Sequence, residues 1–319
     1  MFPKLFFGTL PPAAGALLAF IILLGGYVVR PLGGIVIGHF GDRYGRTKVL
    51  FLTLILMGAS TFAMGLLPPT DQIGLAAPWI LVALRLLQGL AHGGEWAGAT
   101  LMSMEHSPRR QKGLGASIAA AGGPAGSLLA ALILGLVAML PEQQFLAWGW
   151  RVPFLISLMV VVFGLWLRIG LDESPEFVKE VEASAAREGL PLFSVLKNYR
   201  NVVIGGVVVG TGALFVQGLL AAFMIPYLVG TGGMDRSGAF MLFSLSSLLQ
   251  IFTLPFFAAM SDKVGRKRWL FTASMISVLL IWPVFQMFGS QNAVLIAMAF
   301  IVGNAVIVSA TWPLRRLHE

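Results

Sequence analysis

The chain has 319 residues, of which 57% are hydrophobic and 11% charged, with a mean hydropathy of +0.84; a soluble domain carries roughly 25% charged residues. This composition excludes a soluble globular domain and describes a polytopic membrane protein. The net charge of +8 gathers in alternate loops, so it reads as membrane topology and not as a nucleic-acid footprint, and without cysteine there is no disulfide framework and no thiolate metal site.

A membrane-spanning helix needs about 20 mainly apolar residues. Nine stretches qualify, at approximately 12–37, 49–68, 78–104, 115–140, 150–168, 201–227, 237–260, 269–289 and 292–312. The first, from Pro12 to Ile37, is too long for a signal-peptide core of about 7 to 15 residues and is expected to be a retained span.

Between the first two spans lies one hydrophilic turn, Gly38-His39-Phe40-Gly41-Asp42-Arg43-Tyr44-Gly45-Arg46-Thr47-Lys48, and the chain repeats it at Ser261-Asp262-Lys263-Val264-Gly265-Arg266-Lys267-Arg268. Asp42 meets Asp262, Gly45 meets Gly265 and Arg46 meets Arg266 at a single offset of 220 residues. Such a repeat predicts two similar halves. The turn is too short to leave the membrane surface, its glycines permit close approach of helix ends, and its cations hold it on the cytoplasmic side. Asp42 among those cations reads as a carboxylate able to hold or release a neighbouring helix end; the alternative is a tight positive loop with no switching role.

Seventeen of the 22 lysines and arginines fall on one side of the nine spans and three, Lys4, Arg151 and Arg236, on the other. The first side is therefore expected to be cytoplasmic, with the N-terminus outside and the C-terminus inside. In the long polar connection from Asp172 to Asn201, Ser174 followed by Pro175 and Glu176 reads as a helix start. The expected organisation is an N-terminal helix bundle over residues 1–170, a cytoplasmic linker over 171–200 and a C-terminal bundle over 201–319. The offset also predicts that nine helices of a twelve-helix plan are present, lacking the first and the last two.

Arg85, Gln88, His92 and Glu95 stand at helical spacing in the span 78–104, within an arc of about 80° at 100° per residue. A charge embedded in hydrocarbon costs at least ~2.5 kcal/mol, so such a stripe faces a bundle interior or a wet cavity and serves ion or substrate movement. Glu95 either joins that function or neutralises Arg85 or Arg30, and His92 reads equally as an interhelical hydrogen-bonding partner. Arg30, followed by Pro31, Gly33 and Gly34, is the second embedded cation. The spans after residue 200 hold no Asp, Glu, Lys, Arg or His in their apolar interiors, which places proton or carboxylate chemistry in the N-terminal half. Gly122-Gly123-Pro124-Ala125-Gly126 reads as a packing face, and Gln217, Gln250 and Asn304 as pocket donors or interhelical glue. Hydrolase, zincin and Walker signatures do not occur, so neither an enzyme nor a bound metal or cofactor is expected.

The paired loops resemble the loop signature of the major facilitator superfamily, and Arg85-Leu86-Leu87-Gln88-Gly89 resembles its fourth-helix motif. Arg30-Pro31-Leu32-Gly33-Gly34, Gly93-Gly94-Glu95-Trp96, Trp148-Gly149-Trp150-Arg151-Val152-Pro153-Phe154 and Glu173-Ser174-Pro175-Glu176-Phe177 are similar to the metabolite:proton symporter branch. The resemblance implies an all-α integral membrane fold of two bundles with alternating access. It also implies proton-driven uptake of small organic acids, shikimate-like compounds or zwitterions, with protons and the lipid bilayer as further partners. Arg30 would anchor a substrate carboxylate, Arg85 would couple protons, and Gly38, Asp42, Arg43, Gly45, Arg46, Asp262, Gly265 and Arg266 would form the gate loops. The acidic first-helix motif of the family would lie upstream of this sequence. A truncated, non-transporting remnant is the alternative, and a monomer suffices for either.

Overall fold

The computed structural model describes residues 5–8, 10–108, 111–169, 198–201, 203–205, 207, 218, 225–230, 234–290 and 292–311. Most of the expected linker, most of the span 201–227 and Gln217 lie outside the described residues, as do the side chains of Asp42 and Arg266. The described elements are helical: α1 Pro12–Tyr44, α2 Arg46–Leu66, the short α3 Thr70–Ile73, α4 Ala76–Glu105, α5 Lys112–Val137, the short α6 Glu142–Ala147, α7 Val152–Arg168, α8 Arg236–Val264, α9 Arg266–Phe288 and α10 Ala293–Phe300. A π-helical stretch, Ile301–Val308, continues α10. Eight of the nine expected spans are helical among the described residues, and six of the helices are long and apolar enough to cross a bilayer. α4 carries the polar stripe, and the last span is divided between α10 and its π-helical continuation. Outward side chains such as Leu279 and Trp282, 71% and 70% exposed, suit a surface solvated by acyl chains, where every backbone polar group must be satisfied within its own helix.

By contact the chain divides into two compact units, one of Met1–Met102 with Leu140–Glu188 and one of Ser103–Met139 with Gly189–Glu319. In the first unit two glycine-lined helix pairs make the frame. α1 and α4 run parallel at backbone contact, where a Cβ at Gly33 would overlap the Leu90 carbonyl, one at Gly89 that of Gly26, and one at Gly93 that of Arg30. Only glycine permits this approach, and the gain is dispersion plus close packing where lipid supplies no hydrophobic drive. α2 and α7 run antiparallel in the same manner: a Cβ at Gly58 would strike Val161, and one at Gly65 would lie 2.7 Å from the Phe154 side chain. Trp150, 1% exposed, closes one end edge-on against Phe6.

In the second unit α5 and α8 pack antiparallel, with Gly135 accepting from Ser237 Oγ at 3.2 Å near one end and Leu114 bonded to Asp262 at the other. Leu228, Val284, Phe288, Ile296, Phe300 and Ile307 form an apolar core that packs against Leu242 and Phe243 of α8. The stretch at 122–126 departs in part from the sequence reading: Pro124 is buried, but a Cβ at Gly122, Gly123 or Gly126 would meet no described atom within 4 Å, so these three glycines make no close helix contact among the described residues. The close glycine contacts of α5 come from Gly113 and Gly115 at its start and from Gly135 near its end instead.

Candidate functional site

The two copies of the hydrophilic turn fold alike. α1 ends at Tyr44 and α2 begins at Arg46, so the break is the single residue Gly45, at φ 103° and ψ 135°. α8 and α9 meet in the same way across Gly265, at φ 96° and ψ 128°. Each glycine N–H bonds to the carbonyl four residues back, Gly41 and Ser261 respectively, at 3.1 Å. Backbone of this kind strains any L side chain, which explains why glycine stands at both positions. Gly38 has a different character, since a Cβ there would meet nothing within 4 Å; the close helix approach expected of the glycines in this turn is not made at that residue. Arg43 is exposed and stacks over Tyr44 at 5.7 Å, and Arg46 is half-buried in the first turn of α2.

Asp262 does to α5 what a carboxylate at a helix end can do. Gln111, the residue preceding α5, provides no side-chain cap. The Asp262 carboxylate instead accepts from the Leu114 N–H at 3.1 Å, the third residue of α5 and a donor that an ordinary N-cap would satisfy. A negative charge there also complements the helix dipole. Gly113 makes room, because a Cβ at that position would sit 2.5 Å and 2.8 Å from the two carboxylate oxygens.

Within the first unit, Arg30, Arg85, Gln88 and His92 converge on one cavity of about 190 Å³, lined also by Leu23, Gly26, Tyr27, Met57 and Gly89. The glycine contacts between α1 and α4 build it: they bring the Arg30 face of α1 against the polar stripe of α4. The two arginines are held differently. Arg85 donates to the Gln88 amide oxygen, and Gln88 Nε2 donates to Thr61 Oγ1 of α2 at 2.7 Å. Arg30 lies 4.0 Å over the Tyr27 ring, a cation–π contact, and its buried Nε has no hydrogen-bond partner. Pro31 has no N–H to offer the Tyr27 carbonyl, so the backbone beside this arginine is also less saturated.

Glu95 stands apart from the other three stripe residues. At 1.5 Å per residue it lies about 15 Å along the axis from Arg85, beyond the cavity, and forms an ion pair with Arg168 at 2.9 Å. Arg168, in the last turn of α7, also donates to the Leu50 carbonyl at 2.6 Å, so three helices are tied at this level. The cation that balances Glu95 is therefore Arg168, where the sequence suggested Arg30 or Arg85. In the second unit Asn304 donates to Ser246 at 3.1 Å and Gln250 is buried beside it on α8, an interhelical arrangement. Among the described residues no cluster of His, Cys, Asp and Glu could hold a metal ion.

Tyr27, Thr61 and Arg168 were not singled out from sequence. Tyr27 precedes Arg30 by one helical turn and could have been found from that spacing. Gly89 and Gly93 form a Gly-x-x-x-Gly pair that signals helix contact. Thr61 carried no such signal in an apolar run.

The Major Facilitator Superfamily profile matches residues 4–315. The chain is 36% identical over 294 residues to the shikimate transporter of Escherichia coli (strain K12), covering 92% of this chain and 67% of that protein. It is 32% identical over 317 residues to the proline/betaine transporter of the same strain, covering 96% of this chain and 63% of that protein. The chain thus spans about two thirds of the length of these relatives. The fold is similar to that of the xylose transporter XylE from E. coli in a partially occluded inward-open conformation, at TM-score 0.69 and 17% identity over 95% of this chain and 80% of that one. A XylE structure bound to 6-bromo-6-deoxy-D-glucose gives TM-score 0.75 at 16% identity, covering 96% and 73%. These relatives are transporters and not enzymes. The protein is a multi-pass membrane protein that belongs to the Major Facilitator Superfamily, on the branch holding the shikimate, metabolite and proline/betaine transporters.

Proposed function

We propose that the chain moves a small organic acid or zwitterion across the cytoplasmic membrane by proton symport with alternating access. The observation that supports this reading most is the gathering of Arg30, Arg85, Gln88 and His92 around one cavity between membrane-spanning helices. Two cations in so small a space favour an anionic group as occupant. Arg30, whose Nε is buried without a partner, is the anchor for a substrate carboxylate. Arg85, already held by Gln88, couples protons. The relatives' names bring shikimate and betaine-like compounds forward as substrates.

In this reading the bundles 1–170 and 201–319 alternate about the linker 171–200, as a monomer, with the N-terminus outside and the C-terminus cytoplasmic. The loops at Asp42–Arg46 and Asp262–Arg266 gate one face: Asp262 holds the start of α5 in one state and releases it in the other. Glu95 and Arg168 tie the same end of the first unit and serve the gate more than the cavity. The test is uptake of labelled shikimate, proline and glycine betaine into energised membrane vesicles, with and without an inward proton gradient. Gradient-stimulated uptake of at least one carboxylate is expected. Absence of such uptake for any small carboxylate would remove the proposal in favour of a non-transporting protein.

A further inference from the structure

Thr61 lies on α2, in an apolar run, and has no place in the activity proposed above. Its hydroxyl nevertheless ends a directed chain of hydrogen bonds. Thr61 Oγ1 donates its single proton to the Met57 carbonyl at 2.7 Å. The oxygen can then only accept, and it accepts from Gln88 Nε2 at 2.7 Å. The amide orientation of Gln88 follows: with its NH2 group turned to Thr61, its carbonyl oxygen is turned to Arg85, which donates to it. The reverse orientation would set an NH2 group against a guanidinium, two donors with no acceptor between them. Direction thus passes from the backbone of α2, through Thr61 and Gln88, to Arg85 on α4. Arg30 has no such chain among the described residues: its contact is with Tyr27, one turn back on its own helix, and its Nε is unpaired.

We infer that Thr61 is a positioning residue that, by fixing the Gln88 amide, holds the Arg85 guanidinium in one orientation on the cavity wall and leaves Arg30 as the cation open to substrate. This rests on the transport reading above and adds to it the residue on α2 that keeps Arg85 in its orientation.

The experiment compares Thr61→Val, of nearly the same shape but without the hydroxyl, with Thr61→Ser, which keeps it. Both are read as proton-gradient-driven uptake and as gradient-free counterflow of labelled shikimate or glycine betaine, whichever the parent protein carries, with melting temperature and membrane abundance as controls on folding. Thr61→Val strands the Gln88 NH2 group without its acceptor, and leaving a part-buried donor unsatisfied corresponds to roughly tenfold. Thr61→Val is therefore expected to lower gradient-driven uptake by about tenfold while counterflow persists, and Thr61→Ser to restore it. Gradient-driven uptake by Thr61→Val equal to the parent's overturns the positioning role alone. So does an equal loss in Val and Ser variants, or a parallel loss of uptake, counterflow and melting temperature, since these mark a packing role. Absence of any uptake by the parent overturns this inference together with the transport reading.

Discussion

Replacing Gly265 by alanine isolates the cost of the helix break. The residue sits at φ 96° and ψ 128°, and a Cβ there would meet no atom within 4 Å. Steric contact therefore contributes nothing, and the penalty is the backbone's own, of order 1–3 kcal/mol. Asparagine, which tolerates the left-handed helical region near ψ +30° to +60°, gains no advantage at ψ 128°. The same substitution at Gly122 provides the opposite case. That glycine lies inside α5 with no described atom within 4 Å of a Cβ, so alanine there should stabilise by roughly 0.5–1 kcal/mol through lost chain entropy. Melting followed in detergent should fall by about 2–6 °C for Gly265→Ala and Gly265→Asn, at about 2 °C per kcal/mol for a large chain. It should rise slightly for Gly122→Ala. Gly45→Ala, at φ 103° and buried, should lose at least as much as Gly265→Ala. Equal melting of Gly265→Ala and the parent, or recovery in Gly265→Asn alone, would refute the argument from φ and ψ.

Asp262→Ala removes the acceptor for Leu114 N–H and should cost about 1–2 kcal/mol of stability; hydrogen exchange at the first turn of α5 should quicken while that of α9 stays unchanged. Glu95→Ala and Arg168→Ala, separately and together, form a cycle whose coupling should be about 1–2 kcal/mol, because each partner keeps less than one fifth of its side chain exposed; additive losses would show the pair to be idle. Gly33→Ala or Gly93→Ala drives a Cβ into the facing carbonyl and should sharply reduce the folded yield, whereas Gly38→Ala, which meets nothing within 4 Å, should leave it intact.

Much of this architecture is legible in the sequence, for identifiable reasons. Apolar runs of membrane length can only be helices in lipid, since no other single segment satisfies its own backbone, and eight of nine appear among the described residues. The loop repeat at an offset of 220 becomes two glycine breaks of similar φ and ψ, because the glycine requirement is local and is written in one residue. The stripe on α4 is legible for the same reason, helical spacing being a local property.

Partnerships were not legible. Glu95 meets Arg168, 73 residues on, because α7 packs antiparallel to α2 and ends level with it, a consequence of the contacts of Gly58 and Gly65. That Asp262 caps α5 follows from the α5–α8 pairing, which no periodicity encodes. Thr61 acquires its part only when α2 lies beside α4. The glycines from 122 to 126 differ in the other direction: small residues permit close packing but do not require it, and no described atom comes within 4 Å of a Cβ at any of the three.

The most direct test of the proposed transport uses purified protein in liposomes and compares the parent with Arg85→Ala. Uptake of labelled shikimate and glycine betaine is measured with an imposed inward proton gradient and again after the gradient is collapsed. The account predicts that the gradient stimulates uptake by the parent and that Arg85→Ala loses this stimulation. Proton-dependent uptake that persists in Arg85→Ala would contradict the coupling assigned to the α4 arginine, and failure of the parent to respond to the gradient would contradict symport itself.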